Sequence, residues 1–358
     1  MNIYNNRLTK IRNKYSSMGL DGIYITNITN VRYLTGFTGS AGSVVVLDDS
    51  AYFITDGRYT EQSHKEINNC TILITGKSHL ESIISNKLIV SGSSIGIEAN
   101  HISLKMYNIL VSKLAGIKFI ETENITEHIA AIKDIEEIDS LKTAIEITDT
   151  VFDQIIPDLK VGAKEIEISA KISYLFKMNG AEGDSYEPII ASGPLGALPH
   201  ARPSEKEFNF GDFIVMDFGA LYNGYHADMT RTVLIGKPTE RHREIYNTVL
   251  QSQLAGIDSA KAGVRACDVD KACRDIIESK GYGDKFIHST GHGIGLEVHT
   301  YPGINKLNME PLLENYIITI EPGIYIEGWG GVRIEDDCHI RKNNALPLNA
   351  SPKELLCL

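Results

Sequence analysis

The stretch VMDFGALYNGYHADMTRT, residues 215–232, decides how this chain is read. Asn223-Gly224 between two β-prone runs predicts a hairpin closed by a type I′ turn, because that turn needs positive φ at both central residues. A two-residue loop pairs Tyr222 with Tyr225. The same register sets Gly219 opposite Asp228 and Asp217 opposite Thr230. Side chains alternate faces with period two, so Asp217 shares a face with Gly219 and lies one diagonal step from Asp228. Two converging carboxylates raise each other's pKa and weaken the hairpin unless positive charge lies between them. The alternative is a solvated strand face carrying two unrelated acids, and the rest of the sequence has to choose.

Around the hairpin, residues 125–358 read as one α+β domain of antiparallel strands with helices packed on one side. Asp134 with Glu137 forms a capping box, and Ile135, Ile138, Leu141, Ile145, Thr148, Phe152 and Ile155 then trace one face of a long helix stopped near Pro157. Further helices are expected over 165–178, 241–262 and 266–279, and strands over 213–221, 225–235, 316–321 and 331–340. Residues 1–124 have a different texture. Six β-branched runs (22–26, 43–47, 51–55, 71–75, 95–99 and 117–121), the later ones separated by helical spacing, predict a smaller α/β domain. Its glycine-rich GFTGSAGS loop (36–43) lacks G-K-[ST] and reads as a tight turn, not a phosphate cradle.

Two domains also suit a chain of 358 residues, which is long for a single core. Lys+Arg 35 against Asp+Glu 46 gives a net charge of −11, which argues against general nucleic-acid or anionic-membrane binding. The opening MNIYNNRLTKIRNKY has no apolar leader segment and no membrane-length apolar run follows, so a cytoplasmic location is expected. The 5 cysteines are scattered without a C-x-x-C pair, so neither a disulfide framework nor a thiolate zinc site is indicated.

Three more stretches bear on the acidic pair. HSTGHGIGLEVHTYP (288–302) places three histidines among glycines, where the backbone approaches a site closely. In ITIEPGIYI, Glu321 precedes a proline and is held extended. In GGVRIEDD, Arg333, Glu335 and Asp337 share one strand face, opposite Val332 and Ile334. Each has an ordinary explanation when taken alone, and the G-x-G-x-G at 291–295 neither follows a clear strand nor opens a helix as a dinucleotide site would. Together, four carboxylates and an imidazole make a hard, oxygen-rich ligand set suited to Mn²⁺, with Co²⁺, Zn²⁺ or Fe²⁺ as alternatives. Four carboxylate charges balance two divalent ions, which makes a two-metal hydrolytic centre reasonable.

These residues resemble the aminopeptidase P and prolidase group of Xaa-Pro metallopeptidases. The resemblance spans nearly the whole chain. It rests on YLTGFTGSAG and ITDGRY early in the sequence, then LPHARPS, DFGALYNGYHADMTRT, HSTGHGIGLEVH, TIEPGIYI and GGVRIED in that order. It implies a pita-bread catalytic domain behind a creatinase-type, ribonuclease H-like N-terminal domain. The metal ligands it implies are Asp217, Asp228, His292, Glu321 and Glu335. His200 and His299 would be the catalytic histidines beside Glu321, and His200, His288, His299 and Arg333 would contact substrate. The implied reaction is hydrolysis before a proline in second position by a hydroxide shared between two metals. Glu321 would carry the proton, and the histidines would donate to the carbonyl oxygen. A homodimer acting on peptides, without nucleic acid or membrane, is likewise implied.

The chain departs from the family pattern in three places. Thr300 stands where many relatives have an acid, Glu314-Asn315-Tyr316 replaces a common P-G-M, and Gly303 occupies a position that is arginine in several dipeptidase-type relatives. The last favours an aminopeptidase acting on longer peptides over a strict Xaa-Pro dipeptidase, although Arg333 or another base is an alternative partner for a dipeptide's carboxylate. Metal-free creatinase chemistry and an inactive peptide-binding module are the remaining readings, and the complete ligand set argues against both.

Overall fold

A computed structural model describes residues 3–358. The chain divides into two compact units, the first ending at Ala130 and the second running from Ala131 to Leu358. Among the described residues no helix is long and apolar enough to cross a membrane. None of the five cysteines is in a disulfide.

All six expected strands of the first unit form: β1 (Gly22–Ile25), β2 (Ser43–Leu47), β3 (Ala51–Asp56), β4 (Thr71–Thr75), β5 (Ser94–Glu98) and β6 (Lys118–Thr122). They make one sheet in the order β4-β3-β2-β1-β5-β6. β1, β2 and β3 pair antiparallel, while β3–β4, β1–β5 and β5–β6 are parallel. The parallel pairs follow from helical crossovers such as Leu104–Lys113, which returns the chain from β5 to β6. Tyr24, Val45, Ile54, Ile95, Ile97, Leu110 and Phe119 fill the core on that side. The 36–43 loop wraps Phe37, whose ring meets Phe53 at 4.7 Å and Tyr59 at 5.4 Å, so its small residues make room for aromatic packing.

In the second unit two similar layers each pair two helices with an antiparallel sheet. Helices Ile135–Ile155 and Glu165–Met178 cover the sheet of Ile189–Ser192, Phe213–Phe218 and Met229–Leu234. Helices Glu240–Ser259 and Ala266–Ser279 cover the sheet that contains Gly291–Gly293, Ile317–Ile320 and Asp336–Ile340. The capping box of Asp134 and Glu137 is present. Of the predicted helix face, Ile138, Leu141, Ile145, Thr148, Phe152 and Ile155 are buried. Ile135 is 65% exposed, because the first helical residue has not yet reached the layer below.

The hairpin keeps one register throughout, with Tyr222 opposite Tyr225, Phe218 opposite Met229 and Asp217 opposite Thr230. Asn223 and Gly224 take φ of 49° and 74°, as the type I′ turn requires. Three expected strands are nevertheless interrupted. The run predicted over 213–221 breaks at Gly219, beyond which Ala220–Tyr222 joins a small separate sheet. The run predicted over 225–235 breaks at Ala227–Asp228, with Tyr225–His226 in that small sheet and Met229–Leu234 in the sheet of Phe213–Phe218. The run predicted over 331–340 breaks at Ile334–Glu335: Gly330–Arg333 pairs with Gly323–Ile326, whereas Asp336–Ile340 pairs with Ile317–Ile320. At the break, the Glu335 amide donates to Thr230 O at 3.1 Å and ties the second half to the first. All three breaks lie at or beside carboxylates of the predicted site.

Candidate metal centre

Each implied ligand sits where local structure holds it rigidly. Asp217 is the fifth residue of Phe213–Phe218, whose alternate residues Ile214, Met216 and Phe218 are buried among the helices. Period two therefore turns Asp217 the other way. Asp228 lies in the break between Tyr225–His226 and Met229–Leu234, and its amide donates to Asp337 Oδ2 at 2.9 Å. Asp337 thus stops beneath the backbone of the site and is absent from the cavity lining. His292 is flanked by Gly291 and Gly293, where a methyl group would meet Thr319 O at 1.9 Å and Tyr301 O at 2.2 Å. These glycines bring neighbouring strands together, so the close approach expected there is one of backbone to backbone. Glu321 ends strand Ile317–Ile320, its amide donating to Thr290 O at 2.7 Å.

The side chains converge. The Tyr186 hydroxyl bonds to both Asp217 Oδ1 and Asp228 Oδ1. Glu335 accepts from Thr230 Oγ1 at 2.6 Å, and Arg333 donates to the same hydroxyl at 3.0 Å. His292 Nδ1 lies 3.1 Å from the carbonyl of Gly293, an acceptor, so the proton belongs on Nδ1 and Nε2 is a bare lone pair. That lone pair lies 3.5 Å from Glu321 Oε1 and 3.7 Å from Asp228 Oδ2. One ligand atom from each of Asp228, His292 and Glu335 lies within 4.8 Å of the others.

The electrostatics describe a strained acidic cluster. Burial and the neighbouring carboxylates push Asp228 and Glu335 well above the usual carboxylate range. Burial also lifts Glu321 to about 7, against the pull of Arg333. Burial, with His299 beside it, pushes His292 down to about 4. Lone pairs and carboxylates turned toward one another repel, and a divalent cation among them converts every repulsion into coordination. The donor set of four carboxylates and one neutral imidazole fits that group.

The implied non-ligand residues line the same cavity, of about 530 Å³, together with Arg202, Val298 and Gly303. His200 and His299 are exposed on it. The His299 ring lies 4.3 Å from that of His292. His288 lies deeper. Its Nδ1 is 2.7 Å from Ser289 O and its Nε2 is 2.9 Å from the Tyr325 hydroxyl, which in turn accepts from Arg333 at 2.7 Å. Burial first, then the Arg333 charge, push His288 down to about 3, so it is neutral at ordinary pH. Arg333 was expected at substrate, yet all three of its nitrogens meet protein groups: Asp217 and Tyr325, with Pro199 O at 3.3 Å and Thr230 Oγ1.

Sequence reasoning did not single out Tyr186, Thr230 or Tyr325. Thr230 had a signal, since the hairpin register places it opposite Asp217. Tyr325 lies in the quoted ITIEPGIYI. Tyr186 stands before Glu187-Pro188, a pair that keeps its neighbourhood extended on entry to strand Ile189–Ser192.

Residues 139–342 match the model of metallopeptidase family M24, and residues 7–132 match the creatinase/prolidase N-terminal domain. The chain belongs to metallopeptidase family M24. This M24 chain is 37% identical to an Xaa-Pro dipeptidase of Pyrococcus furiosus over 98% of its own length and 99% of the relative. A solved Xaa-Pro dipeptidase from Bacillus anthracis superposes with a TM-score of 0.95 at 38% identity, covering 99% of this chain and 100% of that one. An X-Pro aminopeptidase from Thermotoga maritima superposes at 0.88 with 36% identity, covering 95% and 98%. The M24 fold with its creatinase-type N-terminal domain therefore accounts for both units of the chain.

Proposed function

We propose that the chain hydrolyses the peptide bond before a proline in second position, using two divalent metal ions held by Asp217, Asp228, His292, Glu321 and Glu335. The observation that carries this reading is the bare Nε2 of His292 facing carboxylates from both layers at the floor of one cavity. When bound, divalent ions supply Lewis acidity toward the scissile carbonyl and an activated water. The oxygen-rich set favours Mn²⁺, with Co²⁺, Zn²⁺ or Fe²⁺ as alternatives.

The chain's own groups do the rest. Glu321, lining the cavity beside His292, is placed to take a proton at one carboxylate oxygen and return it to the proline nitrogen as that bond breaks. His200 and His299, exposed on the cavity wall, donate N–H groups to the carbonyl oxygen as it gains charge. His288 is oriented by Tyr325, and Arg333 holds Asp217 in place. Relatives named as dipeptidases and as aminopeptidases both support substrates of two residues or more. The family resemblance further supports a homodimer.

The test is an assay of chelator-treated protein, re-supplied with Mn²⁺, Co²⁺ or Zn²⁺, on Xaa-Pro dipeptides and Xaa-Pro-Xaa tripeptides. Activity should return only with metal and only when proline is second. Equal turnover without metal, or equal cleavage of a peptide with alanine in place of proline, refutes the reading.

A further inference from the structure

An Xaa-Pro dipeptide places a carboxylate one carbon beyond the scissile nitrogen, and a carboxylate drawn into a cavity needs a cation. Of the two arginines on the cavity wall, Arg333 is 2% exposed and committed at every nitrogen. Strand Thr300–Ile304 supplies no base, because its cavity residue is Gly303. Arg202 differs from both. It lines the cavity and is exposed, and among the described residues no protein group hydrogen-bonds or ion-pairs with it.

Its backbone is nevertheless held. Pro203 keeps Arg202 extended. Exposed His200 and Arg202 both line the cavity, while Ala201 between them is buried. The Ala201 amide donates to Leu198 O at 3.1 Å, and Pro199 O accepts from Arg333 at 3.3 Å. One residue beyond the proline, the amide and hydroxyl of Ser204 donate to buried Glu165 at 3.1 and 2.6 Å. A fixed backbone carrying an uncommitted guanidinium beside a histidine of the site is an arrangement suited to a ligand carboxylate, which the guanidinium meets with two parallel N–H groups.

We propose that Arg202 binds the C-terminal carboxylate of an Xaa-Pro dipeptide and sets the enzyme's acceptance of substrates that end at the proline. This assignment rests on the Xaa-Pro reading above. It also answers the substitution at Gly303: the base comes from the 198–204 stretch, not from the strand after His299.

The experiment compares kcat/KM for alanyl-proline and alanyl-prolinamide in Mn²⁺-loaded wild type, Arg202→Gln and Arg202→Lys, with melting temperature and metal content measured alongside. In Arg202→Gln the preference for the free acid over the amide should fall about tenfold to a hundredfold, carried by KM, as expected when one charge-assisted pair is lost. Arg202→Lys should recover part of that preference, since it keeps the charge without the fork. A wild type that cleaves neither compound overturns the Xaa-Pro reading and this assignment with it. A wild type that cleaves both, with the acid-to-amide ratio unchanged in Arg202→Gln or both substrates lost by one factor, overturns the Arg202 assignment alone.

Discussion

Gly219 lies so close to Ala227 that a methyl group added at Gly219 would stand 1.7 Å from the Ala227 carbonyl oxygen. The obstacle is backbone on the opposite strand, which no rotamer change relieves. Gly219→Ala therefore forces apart the two strands that carry Asp217 and Asp228. We expect a loss of about 3 kcal/mol or more in stability, in the range of strain and overpacking mutations, together with weakened metal binding. Denaturant unfolding and a Mn²⁺ titration check both. A variant with wild-type stability and affinity would mean that the close approach is not required.

Tyr186→Phe removes the hydroxyl that joins Asp217 to Asp228 while leaving the ring in place. The phenol is driven well above its ordinary pKa by burial and by both aspartates, so it acts as a proton donor throughout the working range. Outer partners of metal ligands typically contribute about tenfold to a hundredfold in affinity or activity. We expect a loss of that size in Mn²⁺ affinity by calorimetry, with a melting temperature close to wild type at saturating metal. Unchanged affinity would reduce the phenol to a space-filling role.

The hairpin was legible because Asn223-Gly224 fixes a register, and a register fixes which side chains meet. Asp217 and Asp228 followed from it, as did Thr230 opposite Asp217. The breaks at Gly219, Ala227–Asp228 and Glu335 were not legible. Side-chain period tells which face a residue occupies but not which sheet its strand will join, and in all three places the chain leaves one sheet for another. Gly291 and Gly293 showed that closeness was needed without saying to what. Arg333 was placed at the site by its spacing from Glu335, but its commitment to Asp217 depends on strands far apart in sequence. Tyr186 and Tyr325 are single phenols with no pattern around them, and only the fold brings them to the carboxylates.

The stabilisation gained from metal should depend on pH in a definite direction. Glu321 has a folded pKa of about 7 against an ordinary 4.5, and Asp228 and Glu335 are also raised. A raised acid keeps its proton in the folded chain where the unfolded chain has lost it. Its stabilisation is complete below the ordinary carboxylate range and disappears as pH rises through the folded pKa. Asp336 runs the other way: Arg231 and Lys353 overcome the effect of burial and hold it below the usual range, so its stabilisation is fully present above the ordinary carboxylate range and is lost only as pH falls through its lowered pKa. Between pH 5 and 7.5 His288 and His292, lowered to about 3 and about 4, oppose the raised acids, because only the unfolded chain takes up their protons there. Metal binding singles out the acids, since bound ions displace the protons of Asp228, Glu321 and Glu335; saturating Mn²⁺ should therefore raise the melting temperature of chelator-treated protein by roughly 5 °C more at pH 7.5 than at pH 5. Scanning calorimetry at the two pH values decides; a metal-induced rise that is equal at both, or larger at pH 5, contradicts the repulsive cluster.

Helix Ala266–Ser279 contributes nothing to the cavity wall, yet it fixes the segment that does. Asp270 is 1% exposed and takes Arg274 at 2.7 and 3.1 Å and the Thr290 hydroxyl at 2.8 Å. Arg274 then donates to the carbonyls of Phe286, at 3.0 Å, and His288, and lies 4.1 Å over the Phe286 ring. The 286–290 segment is thereby held at three points just before His292. Asp270→Asn keeps the shape but leaves the guanidinium without its counter-charge, and breaking a buried pair of this kind is destabilising by about 2 kcal/mol or more. Since a 1 Å displacement of a reacting group costs up to about a hundredfold, we expect kcat to fall at least tenfold at saturating metal while KM changes little. Arg274→Lys should fall between wild type and Asp270→Asn, because lysine reaches one carbonyl at a time. Steady-state kinetics at saturating Mn²⁺ read this out. Full kcat in Asp270→Asn would show that His288 and His292 are positioned by their own segment, without help from the helix behind it.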